Sequence, residues 1–241
     1  MYKNYMFDLY GTLADIHTDE SVKTLWNKMC EYYSEHSADY TAEELNKAYC
    51  QFVEEEKSVI HASHPEYKYI DIKIEKVFKK LYTVKGVNPT DEKVLETALF
   101  FRRTSREYIK LYSGISNLLD DLKASGGKVY LLTNAQRSFT WDELELLGLA
   151  EKFDGIVISS DEECCKPDPC FYGIILNRYS LKPDETIMVG NDPTADIRGA
   201  ANVGIDTLYI HTNISPAFDE TTPATYVIPD GDTAKMREYL L

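Results

Sequence analysis

The spacing of the strand signals constrains this chain most. An apolar run from Tyr5 to Leu9 carries an aspartate, Asp8, near its end and is followed by Gly11, yet no comparable signal returns until Lys128 to Thr133. Beyond that point strand signals recur at Gly155 to Ser159, Thr186 to Gly190, Thr207 to Ile210 and Tyr226 to Ile228, separated by helical patterning. Short apolar strands alternating with amphipathic helices read as a parallel sheet, because parallel neighbours need a crossover and helices supply it. The pattern predicts a doubly wound, Rossmann-like α/β core whose first strand is separated from the rest by a long insertion.

The insertion, residues 15–111, reads as all-helical. Val22, Leu25, Trp26, Met29 and Tyr33 recur at helix spacing, and Thr41 with Glu44 makes a capping box ahead of Leu45, Ala48, Tyr49 and Phe52. Val77, Phe78 and Leu81 form another stripe, and Val94, Leu95, Ala98 and Leu99 follow the stop at Asn88-Pro89-Thr90. Such a block is expected to form a helical cap, with the core built from residues 1–14 and 112–241. In the core, a helix bearing Ile115, Leu118, Leu119 and Leu122 is expected to stop at Gly126-Gly127, and a closing helix to run from Thr233 to Leu241.

Charge and composition narrow the function classes. The net charge of −14 repels nucleic acid phosphates and anionic membranes, so neither is expected as a partner. No apolar run approaches the roughly 18 residues of a membrane span, and the chain enters its first strand without a signal-peptide pattern, which points to the cytoplasm. Five cysteines, an odd number, suit a reducing compartment. Cys164, Cys165 and Cys170 lack the paired spacing of a thiolate metal site and read as small buried side chains. The aromatic content is compatible with a monomer or a homodimer.

Candidate chemistry collects at strand ends, where open α/β sheets bind ligands. Asp8 is placed as a nucleophile, Gly11 permits a tight turn toward a phosphate, and Thr12 is positioned to hold a carboxylate oxygen of Asp8. Thr133 and Asn134 end the next strand, where a hydroxyl and helix-start amides bind oxygens of a transferring group. Lys166, before Pro167-Asp168-Pro169, offers an ammonium to neutralise carboxylate and substrate. Val189-Gly190-Asn191-Asp192-Pro193-Thr194-Ala195-Asp196 gathers hard oxygen donors of the kind magnesium takes.

These four segments, in this order, resemble the motifs of the haloacid dehalogenase-like superfamily, and the resemblance spans nearly the whole chain. It implies a helical cap inserted after the first motif, covalent catalysis by Asp8, and Mg2+ held by Asp8, the backbone carbonyl at Tyr10 and the fourth motif. The common pattern has an aspartate directly after the glycine of that motif. Here Asn191 stands there, so the metal ligand is either Asp192 or Asn191, with Asp196 orienting Lys166 or a metal-bound water.

One departure bears on mechanism. Most phosphatases of the superfamily carry a general acid and base two residues after the nucleophile, and this chain has Tyr10. Losing that proton donor costs about 10²–10⁴-fold and favours good leaving groups such as acyl or aryl phosphates. Asp15, His17 and Glu20 are candidate substitutes, and His61 and His64 candidate substrate contacts. A tyrosine here also resembles the metal-free dehalogenases, but those use an arginine early in the cap. This chain has none before Arg102, Arg103 and Arg106. The expected function is a magnesium-dependent hydrolase of a small phosphorylated metabolite through an aspartyl phosphate. The alternatives are a metal-free 2-haloacid dehalogenase-like hydrolase and an impaired binding protein of the same fold.

Overall fold

A computed structural model describes residues 2–217 and 221–241. Residue 1 of the expected 1–14 core segment and residues 218–220 of the 112–241 segment therefore lie outside the described residues. Strand β1 (Asn4–Phe7) is followed by β2 (Ala14–Thr18), helices α1 (Lys23–Glu35), α2 (Ala42–Ser63), α3 (Ile74–Thr83) and α4 (Asp91–Ser105), and β3 (Arg106–Leu111). Then come α5 (Ile115–Ala124), β4 (Lys128–Thr133), α6 (Arg137–Leu146), β5 (Gly155–Ile158), α7 (Ser159–Glu162), α8 (Pro169–Arg178), β6 (Thr186–Gly190), β7 (Asp206–Ile210) and β8 (Tyr226–Ile228).

β1 and β4 to β8 form one parallel sheet in the order β5-β4-β1-β6-β7-β8. The chain builds outward from β1 through β4 to β5, then returns to the other side of β1 for β6. That is the doubly wound order, with its reversal between β1 and β6. Two-residue alternation divides the side chains of β1: Tyr5 and Phe7 pack with α5 and the closing helix Met236–Leu240, while Met6 packs with Phe171, Tyr172 and Ile175 of α8. Gly127 must be glycine because any Cβ there would press into the Tyr5 ring, 2.5 Å from Cε2.

Helices α1 to α4 bury their apolar faces against one another, around Trp26, Met29, Tyr33, Leu45, Phe78 and Phe101. The Thr41–Glu44 capping box forms as expected, and Thr90 caps α4 by accepting the Lys93 amide. The insertion is nevertheless not helical throughout. Its two ends, β2 and β3, pair antiparallel, with Ile16 opposite Ile109. The signal is a two-residue alternation at Ile109 and Leu111, which turns those side chains toward the core cluster. The closing helix is also shorter than expected, since Thr233–Lys235 is a tighter turn that precedes it.

Candidate active site

Register places the chemistry. Phe7 stands level with Leu131 on one side and Val189 on the other, so the next residue, Asp8, leaves the sheet beside the ends of β4 and β6. Its amide donates to the Val189 carbonyl at 3.0 Å, fixing the carboxylate at the reversal point of the strand order. Lys166 reaches this point from the loop after α7. Its Nζ donates to Asp8 Oδ1 at 2.7 Å, to Asp196 Oδ1 at 2.6 Å and to the Leu132 carbonyl at 2.8 Å.

The three side chains are all buried. Burial opposes the Lys166 charge, but Asp196 and Asp8 outweigh it and hold the ammonium proton above the ordinary lysine range. Burial likewise lifts the Asp196 carboxyl, to about 7, with Lys166 pulling it down and Asp8 pushing it up. Asp196 Oδ2 also accepts the Asp192 amide at 2.9 Å. Gly190 lacks a side chain for a steric reason, since a Cβ there would collide with the Asp196 carboxylate.

A cavity of about 240 Å³ opens here, lined by Asp8, Tyr10, Asn134, Lys166, Asn191 and Asp192 among others. Among the described residues nothing hydrogen-bonds Asp8 Oδ2. Gly11 has φ +84°, and a Cβ would come within 2.6 Å of Asn191 Cγ, so the turn requires glycine twice over. Thr12 does not hold Asp8. Its hydroxyl lies 3.4 Å from Asn191 Oδ1, because the Gly11 turn carries it across to the end of β6.

Asn134 is used differently from the sequence reading. Its Oδ1 accepts the Lys166 amide and its Nδ2 donates to the Lys166 carbonyl, both at 2.8 Å, so its side chain clamps the lysine loop. Thr133 is fully buried, and among the described residues its Oγ1 has no partner, an unspent hydroxyl at the end of β4.

Among the described residues no three His, Cys, Asp or Glu side chains form a metal cage. Magnesium does not need one, as it keeps several waters and takes one or two carboxylates. The donors fit that demand. Asp8, Asn191 and Asp192 line the cavity together, and Asp8, Asp192 and Asp196 set three carboxyl groups against one ammonium. Asp192 Oδ1 caps the following turn by accepting the Thr194 and Ala195 amides at 2.8 Å, leaving Oδ2 for another partner. Asn191 is held by the loop after β7, donating from Nδ2 to Ser215 Oγ at 3.3 Å.

Tyr10 makes a contact that the sequence did not foresee. Its phenol donates to Glu143 Oε2 at 2.5 Å, and burial with the adjacent Glu143 charge pushes its pKa well up. Fully buried Glu143 also accepts Arg102 Nε and Arg106 Nη1, each at 2.8 Å. The late arginines thus return to the site through the fold, and Arg102 lies over the Tyr10 ring at 5.5 Å. A second cavity of about 320 Å³ shares Tyr10 and Asn134 with the first and adds Ile16, Glu20, Arg102 and Phe139.

Asp15 is bound to Asn213, Tyr108 and Lys110, and His17 lies on the surface near Glu107. His61 is exposed, and His64 pairs with Glu66 and Glu163, so neither lines these two cavities. All five cysteines are free; Cys164 is buried, while Cys165 and Cys170 are only half-buried.

Sequence reasoning missed several residues. Glu143 shares the buried face of α6 with Phe139 and Leu144, and an acid on an apolar stripe was the available signal. Asp168 caps α8 and accepts the Lys68 and Tyr69 amides, while Asp71 accepts from Ser159 and Gln136. The segment between α2 and α3 is thereby fastened to the loop that carries Lys166.

A family model described as a haloacid dehalogenase-like hydrolase matches residues 2–204. The chain belongs to the haloacid dehalogenase-like hydrolases. The hydrolase is 31% identical over 149 residues to a phosphoserine phosphatase of Thermus thermophilus, covering 62% of this chain and 59% of that protein. It is 26% identical over 246 residues to a glyceraldehyde 3-phosphate phosphatase of Methanopyrus kandleri, covering 100% of this chain and 96% of that one. Its fold matches a 2-haloacid dehalogenase from Pseudomonas syringae pv. Tomato (TM-score 0.68, 19% identity, 100% of this chain and 98% of the other). A HAD phosphatase from Thermococcus onnurineus matches similarly (TM-score 0.61, 18% identity, 99% and 97%).

Proposed function

We propose that this hydrolase is a magnesium-dependent phosphatase of a small phosphorylated metabolite, with residues 15–111 serving as its cap. The observation that carries this reading is the buried Lys166 bridging Asp8 and Asp196 while Asp8 Oδ2 stays unbonded on the cavity. A nucleophile so placed is oriented, with an oxygen open to the cavity. Asp8 attacks phosphorus, the bond to the leaving oxygen breaks with its electron pair, and an aspartyl phosphate forms. Water then attacks that phosphorus, releasing phosphate and restoring the carboxylate. Lys166 offsets the charge gathered on attacker and phosphoryl oxygens, and the unspent Thr133 hydroxyl is a donor to one of them.

The Asp8 carboxylate, the Tyr10 carbonyl and Asn191 or Asp192 would hold magnesium. When bound, the ion supplies positive charge that balances the excess carboxylates and the phosphoryl group. Tyr10 is no proton donor, since its phenol is spent on Glu143 and its pKa is raised. The two relatives bear the names of phosphatases of small alkyl phosphates, which agrees with a metabolite-sized substrate.

The test is phosphate release from acetyl phosphate, p-nitrophenyl phosphate and a panel of sugar and amino-acid phosphates, with magnesium or chelator, beside Asp8→Asn. Release that needs magnesium and disappears in Asp8→Asn is expected. One observation favours the dehalogenase alternative: Arg102, absent from the early cap, lies beside Tyr10 on the adjoining cavity and presents a cation to a departing anion. Halide release from a 2-haloacid that persists in chelator would establish that reading instead.

A further inference from the structure

If position 10 supplies no proton, a leaving alkoxide must obtain one elsewhere. The beginning of the insertion offers Asp15, His17 and Glu20, and the fold separates them. Asp15 is consumed by Asn213, Tyr108 and Lys110, and the His17 side chain is on the outside near Glu107. Glu20 alone of the three lines the cavity that adjoins the Asp8 pocket and shares its Tyr10 and Asn134 walls. Trp26 Nε1 anchors its backbone by donating to the Glu20 carbonyl at 2.8 Å, while its carboxylate makes no ion pair among the described residues.

Resting on the phosphatase reading, we propose that Glu20 is the general acid for the leaving group and the general base for the attacking water. In the first step the Asp8–phosphorus bond forms, the phosphorus–oxygen bond breaks, and the Glu20 proton passes to the departing oxygen. In the second, the Glu20 carboxylate takes a proton from water as the water oxygen attacks phosphorus and Asp8 leaves. The surroundings suit a group that must hold a proton. Glu20 is itself exposed where it meets the cavity; partial desolvation by the surrounding walls raises its carboxyl, opposed by the Arg102 guanidinium from α4, and the phenols near it, Tyr49 of α2 and Tyr10 across the cavity, are themselves shifted upward and stay neutral.

The experiment compares wild type and Glu20→Gln at saturating magnesium on acetyl phosphate, p-nitrophenyl phosphate and alkyl phosphates such as glycerol phosphate and phosphoserine. Glu20→Gln should lower kcat on the alkyl phosphates by about 10²–10⁴-fold and on the good leaving groups by far less. The fall of alkyl phosphate turnover as pH rises through the Glu20 range should vanish in the variant, and Glu20→Asp should restore part of the loss. Equal losses on both substrate classes, or no loss on either, overturn the assignment. A wild type that hydrolyses acyl and aryl phosphates but no alkyl phosphate also overturns it, while leaving the phosphatase reading intact. A wild type that releases no phosphate from any of them removes both.

Discussion

Two buried charge clusters flank Tyr10, and each is the other's inverse. In the first, one lysine, Lys166, is held between two carboxylates, Asp8 and Asp196. In the second, one glutamate, Glu143, is held between two arginines, Arg102 and Arg106. Both carry surplus charge, which protein interiors tolerate only with a compensating partner. The first borders an open cavity, so its surplus is available to a cation and a substrate. The second meets the adjoining cavity only through Tyr10 and Arg102, while its central Glu143 is fully buried and bonded on both oxygens, joining α4 and β3 to α6 and fastening the helical insertion to the core. Composition alone does not separate chemistry from fastening; a carboxylate oxygen left unbonded on the cavity, which Asp8 has and Glu143 lacks, does.

Exchanging the central residue of each cluster should break the symmetry most clearly. Glu143→Met strands two arginines in a buried site and should cost about 3–5 kcal/mol, seen as a lower urea midpoint. Lys166→Met should instead reduce phosphate release to the Asp8→Asn background. If Glu143→Met left stability unchanged, the second cluster would not be a fastening. Next in size, Tyr10→Phe removes the donor to Glu143 and should cost about 1–3 kcal/mol in thermal unfolding, without moving the pH at which turnover falls. A shift of that limb would mean that the phenol titrates in catalysis.

The smallest effect concerns the β2–β3 ribbon. Burial works to raise the Asp15 carboxyl, but bonds from Asn213 and Lys110 win and hold it below its ordinary 3.8. A carboxyl depressed on folding adds stability above its unfolded value, and that stability is lost as pH falls through the folded value. Asp15→Asn should therefore flatten the acid limb of the stability curve, measured by unfolding between pH 5 and pH 2, on the order of the window that the unfolded value sets. An unchanged limb would show that these bonds add nothing.

The residues that were legible in the sequence share one property: each lies at the carboxyl end of an apolar strand or in the connection that follows it. Asp8, Thr133, Lys166 and Asp196 could be placed because a parallel sheet brings its strand ends to one edge whatever the details of packing. What each does was less legible. Thr12 turned to Asn191, and Asn134 to the Lys166 backbone, because their reach is set by the Gly11 turn and by the loop after α7. The β2–β3 ribbon escaped notice because its alternation is short and flanked by strong helical patterning.

The sequence by itself determined the alternation of strands and helices, the insertion after β1 and the order of the motifs, since these follow from local periodicity and turn chemistry. Only the tertiary structure decided which charges meet. Tyr10 and Glu143 are 133 positions apart, and Lys166 and Asp8 are 158 apart. Such pairs form only when distant elements pack to within hydrogen-bond range, and no local pattern encodes that distance.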